Sequence, residues 1–249
     1  MIRVQSLTAT TLDGKELLSD INLNLAQGQT LGVYGPNGSG KSTLLRAISG
    51  VSRARNLLGL VQVAENSVDS FTAIERAHKI IYLGSDFNSP FELKVRELFE
   101  LGAQVLNRPQ GNISEVVEYL SIQNFLNRDF NSLSDGEKQL MMFARALIQR
   151  PEVIVFDESF SKLDLDKLIL VAKAVRHYSA LGLTTIIASH DLNFLSESAD
   201  EFLFLKSGKK IASGNVTQVL NETNLELLYP GLSLHVVVSP DTGRFKILY

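Results

Sequence analysis

TLGVYGPNGSGKSTLLRAISG, residues 30–50, is the stretch whose reading decides the fold. TLGVYG is a short apolar run that ends in glycine, as a buried strand does. STLLRAISG has helical spacing and stops at Gly50. Between them GPNGSGKST, residues 35–43, fits G-x-x-x-x-G-K-[ST] in the strand-to-helix setting that gives the motif its meaning. Its glycines let backbone N–H groups turn inward around phosphate oxygens, and the helix N-terminus adds positive potential. Asn37, Gly38, Ser39, Gly40, Lys41, Ser42 and Thr43 are therefore expected to hold a nucleotide's phosphates. Lys41 would place its charge on the β- and γ-phosphates, and the Ser42 hydroxyl suits Mg²⁺.

Composition narrows the classes. The chain has 249 residues, 45% of them hydrophobic and 20% charged, enough for one large domain with a real core. A net charge of −3 argues against a broad basic surface, so no nucleic-acid partner is expected. With no cysteine, disulfides, iron–sulfur ligation and thiol chemistry are excluded. MIRVQSLTATTLDG alternates like a strand and lacks a signal peptide's apolar run. Nothing approaches the roughly 20 apolar residues of a membrane span.

Two further strand ends carry polar groups. VIVFDE, residues 153–158, is an apolar strand closed by two carboxylates. Beside a phosphate loop, Asp157 suits the Mg²⁺ shell and Glu158 suits polarising an attacking water. ASHD, residues 188–191, ends the next apolar strand, and its His190 is placed to contact the γ-phosphate or position the water. On their own, these would read as solvated acids and a structural histidine.

Elsewhere IRVQSLTATTL and ELLSDINLNL read as antiparallel strands around an LDGK turn. Residues 51–79 show no clear period, and IIYLG is another buried strand. From 90 to 131 the pattern is helical: VRELFELGAQVL and ISEVVEYLSIQNFL, separated by Pro109 and Gly111. VIVFD, DKLILVAKAVRHYSALG, TTIIAS, LNFLSESAD and EFLFLKSG then alternate strand and helix, as a mostly parallel sheet requires. A helix over NETNLELL and a hairpin of LHVVVS and RFKILY around PDTG close the chain.

NSLSDGEKQLMMFARAL, residues 131–147, is a polar turn running into an apolar helix. Ser134 with Glu137 three residues on is a capping box. Taken with GPNGSGKST, VIVFDE, SKLD (161–164) and SHD, it also resembles the signature of the ATP-binding-cassette family, usually LSGGQ. The ordered set covers nearly the whole chain. The resemblance implies an α/β fold: a P-loop NTPase with a RecA-like, mostly parallel core, an N-terminal antiparallel β subdomain and an inserted α-helical subdomain. The whole of 1–249 would be one ATPase domain, with the helical part near 88–145 and a terminal helix and hairpin near 221–249. It implies ATP and Mg²⁺ as cofactors, and hydrolysis by Glu158 with His190. It also implies a head-to-tail dimer of two copies, in which Ser134, Gly136 and Glu137 of one touch the nucleotide of the other. Ser161 and Asp164 would lie in the dimer-contact loop.

Five positions depart from the family pattern. Ser85, or Gly84, stands where Gln usually helps ligate Mg²⁺, so Ser85, or Asp86, is the substitute ligand there. Leu12 falls near the usual adenine-stacking aromatic, offering an apolar face without a π-system. Ser159 replaces a usual proline. Asp135 and Glu137 put negative charge near a triphosphate, unfavourable unless the side chains point away.

SPFELKVRELFELG, SHDLN and the tail NLELLYPGLSLHVVVSPDTGRF resemble ATPases of iron–siderophore, haem and cobalamin importers. That implies a cytoplasmic subunit, peripheral on the inner face of the cell membrane, with a polytopic permease and, indirectly, a substrate-binding protein. The apolar residues of PFELKVRELF would either wall the permease groove or serve as helix core. Two other readings stay open: a soluble cassette acting as assembly factor or scaffold without a permease, and a small-molecule P-loop kinase.

Overall fold

The computed structural model describes residues 1–52, 56–85, 87, 92–104, 111–231, 235–238 and 245–248. Asp86, Pro109, the SPF of 89–91 and the PDTG turn lie outside them.

In chain order the strands and helices are β1 (Ile2–Thr10), β2 (Glu16–Leu25), β3 (Thr30–Tyr34), α1 (Lys41–Ile48), β4 (Asn56–Val63), β5 (Asn66–Ser67), α2 (Ala73–Lys79) and β6 (Ile80–Leu83). Next come α3 (Val95–Gln104), α4 (Gly111–Tyr119), α5 (Asp135–Gln149), β7 (Val153–Asp157), α6 (Leu165–Ala180), β8 (Thr184–Ala188) and α7 (Leu192–Ser198). β9 (Glu201–Lys206), β10 (Lys209–Asn215), α8 (Val216–Val219), α9 (Glu222–Leu228), β11 (His235–Val238) and β12 (Phe245–Leu248) finish the described chain.

The central sheet has the order β10-β9-β3-β8-β7-β6. β9, β3, β8, β7 and β6 run parallel, and β10 returns antiparallel to β9. β3, β7 and β8 are buried at every residue. Strands covered on both faces read as continuous apolar runs, as theirs do. The second sheet, β2-β1-β4-β5, is antiparallel. Along β1 the buried residues are Ile2 and Val4, then Leu7 and Ala9. The one-residue slip is a bulge. Ser6 has φ 46°, its N–H goes to Asn22 Oδ1 at 2.9 Å, and pairing shifts register between Val4 and Leu7.

α1 lies between the two sheets. Leu44, Leu45 and Ile48 pack with Ile2, Leu18, Val33, Val155 and Ile186 in one core. The second core, on the opposite face, joins Phe156, Phe202 and Phe204 to Phe99, Phe143, Val171 and Leu195 from the helices. α3, α4 and α5 enter between β6 and β7, which pair directly. α5 runs on to Gln149 and stops where Arg150 turns left-handed at φ 46°.

Two differences from the sequence reading concern strands. Residues 51–79 contain β4, β5 and α2. β4 shows no clean alternation, because Gly59 turns to φ 105° where the strand passes the β1 bulge. β10 was not anticipated. Its signal was KSGK, since Ser207 and Gly208 both adopt positive φ, 50° and 76°, as a tight hairpin requires. β11 and β12 pair antiparallel. The hairpin is tied to α7 by Ile247 N–H to Asn193 Oδ1 at 2.8 Å and by Ser196 Oγ to the Phe245 carbonyl at 2.7 Å.

Candidate functional site

The turn from β3 into α1 is built on a backbone only glycine adopts readily. Gly40 has φ 103°, and a Cβ there would stand 2.8 Å from Leu18 Cδ2 and 2.9 Å from the Leu17 carbonyl oxygen. The turn forms one wall of a cavity of about 600 Å³, lined by Lys15, Glu16, Leu17, Asn37 to Thr43, Glu158, Ser207 and Gly208. Lys41 reaches back over the loop. Its Nζ donates to the Gly35 carbonyl at 2.8 Å and to Pro36 at 3.2 Å. Burial pushes its ammonium pKa down, while Glu158 and Asp157 pull it up. Ser39 Oγ is buried with no hydrogen-bond partner among the described residues.

Three parallel strand ends deliver the polar groups to this loop, because parallel strands all open at one edge of the sheet. Ser42 Oγ donates to Asp157 Oδ1 at 2.8 Å. Glu158 follows with φ 56°, a left-handed conformation that costs a non-glycine residue on the order of 1 kcal/mol. It is held by its N–H to the Ala188 carbonyl at 3.1 Å. This geometry turns the carboxylate toward His190, whose Nε2 lies 2.7 Å from Oε1, while Lys41 Nζ lies 3.8 Å from the same oxygen. Glu158, Ser161, His190 and Asp191 line an adjoining cavity of about 460 Å³. Asp164 caps α6 instead, accepting from Lys167 N–H at 3.1 Å.

The start of α5 is elsewhere. Ser134 Oγ accepts from Glu137 N–H at 3.3 Å and Glu137 Oε2 accepts from Ser134 N–H at 2.7 Å, so the capping box forms. Burial pushes the Glu137 carboxyl up; the Ser134 bonds and the Arg128 guanidinium outweigh that and hold it below the usual range. Asp135 turns to Lys162 Nζ at 2.7 Å, which lowers its pKa. Gly136 sits against the same loop: a Cβ there would be 2.6 Å from the Lys162 carbonyl oxygen. Ser134, Gly136 and Glu137 line neither cavity of their own chain.

Two expected residues are not brought to the site. Leu12 is 75% exposed and lines neither cavity. The turn closes on itself, through Thr11 N–H to the Lys15 carbonyl and Gly14 N–H to the Thr11 carbonyl, and leaves Leu12 at its outer edge. Lys15, Glu16 and Leu17 form the wall there. Ser85 lines a third cavity, of about 680 Å³, with Arg46, Arg76 and Tyr82. Among the described residues it makes no hydrogen bond to Ser42 or Asp157. Ser159 Oγ, buried, ties the backbone just before it by donating to the Leu83 carbonyl at 2.7 Å and Gly84 at 3.0 Å.

Sequence reasoning missed Tyr82. Its hydroxyl donates to Asp157 Oδ2 at 2.6 Å, and burial, then that bond, push its pKa up to about 12. The signal was its place in IIYL, two residues after Ile80 and so on the same face of the strand, the one toward α1, though alternation alone could not say what it would meet. No group of three or more His, Cys, Asp or Glu able to hold a metal occurs among the described residues. The oxygen pair of Ser42 and Asp157 is still hard-donor chemistry of the kind Mg²⁺ takes alongside phosphate oxygens.

Residues 18–161 match the ABC transporter family. A hemin import ATP-binding protein of Rhodococcus jostii is 31% identical over 246 residues, which cover 96% of this chain and 83% of that protein. A cobalamin import ATP-binding protein of Halobacterium salinarum is 29% identical over 243 residues, covering 95% of this chain and 60% of that one. Among solved structures, cbiO1 of Clostridium perfringens, part of the ABC transporter complex cbiONQ, superposes with a TM-score of 0.77 at 25% identity, over 92% of this chain and 95% of that one. The chain belongs to the ABC transporter family and is one of its ATPases.

Proposed function

We propose that this ATPase powers an importer for a tetrapyrrole or related metal chelate, acting as a head-to-tail homodimer on a polytopic permease. The contact that carries the hydrolytic part is Glu158 Oε1, 2.7 Å from His190 Nε2 and 3.8 Å from Lys41 Nζ, at the rim of the P-loop cavity. Lys41 leaves the Gly35 and Pro36 carbonyls for the β- and γ-phosphates. Asn37 to Thr43 wrap those phosphates with backbone N–H groups. Glu158 takes a proton from the attacking water, and His190 holds the carboxylate in line. Ser42 and Asp157 would hold Mg²⁺, which would neutralise charge on the phosphates.

The dimer reading is supported by the place of the signature. Ser134 and Gly136 present a capped helix start that their own P-loop cavity does not use. A second copy, turned head to tail, would bring a nucleotide to it, with Ser161 and Asp164 alongside. The cargo class rests on relatives named for hemin and cobalamin import. No described helix is long and apolar enough to cross a membrane. Attachment to the cytoplasmic face would therefore run through the permease, and any substrate-binding protein would act on that permease.

The experiment is co-purification of tagged protein from detergent-solubilised membranes, with mass spectrometry of its partners. A stoichiometric polytopic protein, encoded with a periplasmic or surface binding protein for a tetrapyrrole, is the expected result. Recovery without any integral membrane partner would overturn the transport reading while leaving the ATPase intact.

A further inference from the structure

Asp157 is bonded at both carboxylate oxygens. Ser42 Oγ donates to Oδ1 at 2.8 Å, and the Tyr82 hydroxyl donates to Oδ2 at 2.6 Å. Tyr82 is on β6, in register with Val155 of β7. Arg46, from α1, donates its Nε to the Tyr82 oxygen at 3.1 Å, and its Nη2 lies 3.9 Å from Asp157 Oδ2. A guanidinium has donors only, so the phenolic oxygen must accept from Arg46. The phenol's own proton is then left for Asp157. The direction of the relay, Arg46 to Tyr82 to Asp157, follows from the chemistry of its first member.

The two bonds on Asp157 differ in where they stand when a cation arrives. The Ser42 bond lies on the metal side: its oxygen can offer a lone pair to the cation while its proton stays on Oδ1. The Tyr82 bond is on the other oxygen and can persist. A carboxylate held at one oxygen has its plane fixed and its second oxygen aimed. Groups behind a metal-facing carboxylate orient it and tune its affinity. Asp157 is 5% exposed, so water is a poor substitute for the phenol.

We infer that Tyr82 is a positioning residue for the ATPase reaction: it holds Asp157 Oδ2 so that Oδ1 faces the metal–nucleotide site, and Arg46 fixes the phenol for that task. The inference rests on the proposed assignment of Asp157 and Ser42 to the Mg²⁺ side of the site.

The test uses the full chain and four proteins: wild type, Tyr82→Phe, Arg46→Leu and Asp157→Asn. Tyr82→Phe deletes one oxygen and keeps the ring in place. Mn²⁺ affinity is measured by electron paramagnetic resonance in the complex with a non-hydrolysable ATP analogue. The Mg²⁺ concentration for half-maximal phosphate release is measured separately. Tyr82→Phe is expected to weaken Mn²⁺ binding about tenfold and to raise the Mg²⁺ requirement to match. Metal-free nucleotide affinity should stay near wild type, so that the loss is read on the metal alone, which a merely structural role would not predict. Arg46→Leu should act in the same direction by a smaller factor, and serves if Tyr82→Phe folds poorly. Wild-type metal affinity in both variants would overturn the inference. If Asp157→Asn also binds Mn²⁺ as wild type does, the metal assignment itself falls. If Asp157→Asn loses the metal while Tyr82→Phe keeps it, only the role of Tyr82 falls.

Discussion

Glu158 Oε1 and His190 Nε2 stand 2.7 Å apart, although their strands, β7 and β8, are joined by a whole helix. The contact depends on the left-handed backbone at Glu158, which turns its side chain along the sheet edge toward the end of the neighbouring strand. Such a conformation persists only where its surroundings over-determine it. Here the backbone bond to Ala188 and the two side-chain contacts do so.

Glu158→Gln keeps the side chain's shape and removes its basicity. Phosphate release is expected to fall about 10²-fold or more. Nucleotide titration with a fluorescent ATP analogue should show affinity within a few-fold of wild type. In the presence of ATP, light scattering should show a shift to dimer. A variant that hydrolyses ATP at the wild-type rate would remove Glu158 from the chemistry.

Gly136→Ala separates two opposing effects. In an exposed helix, alanine would stabilise by about 1 kcal/mol over glycine. At this position its Cβ would meet the Lys162 carbonyl oxygen at 2.6 Å, a backbone atom that cannot step aside. Overpacking of this kind costs about 1–3 kcal/mol. Urea denaturation should therefore show a lower midpoint for the variant. The displaced 161–164 loop should also weaken ATP-driven dimerisation.

Glu137 gives a pH dependence of known sign. Its folded-state carboxyl is held below the ordinary range, which is near pH 4.3. Its contribution is fully present above that ordinary value and is lost as pH falls through the lowered one. Glu137→Gln cannot titrate. Melting curves below about pH 4 should show wild type losing stability faster than Glu137→Gln.

Leu12→Ala should change neither nucleotide affinity nor stability by more than about 0.5 kcal/mol, as expected of an exposed side chain without partners at the site. Leu12→Tyr should not tighten ATP binding, because the turn holds position 12 outside the cavity. A several-fold gain in the titration would show that the turn folds onto the nucleotide.

Ser159→Ala removes a buried donor shared by the Leu83 and Gly84 carbonyls. A loss of about 1–2 kcal/mol is expected from denaturant unfolding.

The sequence by itself determined the parallel core. TLGVY, VIVFD and TTIIA can be buried on both faces only as inner strands, and GPNGSGKST can follow only a strand that opens into a helix. Ser134 and Glu137 likewise announced their capping box, because a cap is local and its partners are three residues apart. The tertiary structure decided what depends on packing between distant segments. Whether Leu12 faces a nucleotide or solvent is set by how a turn closes on itself. The role of Gly136 came from the backbone of Lys162, which no spacing in the sequence announces. Tyr82 and Asp157 are joined because β6 and β7 lie side by side, across a helical insertion that separates them in the chain. Periodicity reports which face of an element is buried; only the assembled sheet says which polar atom waits on that face.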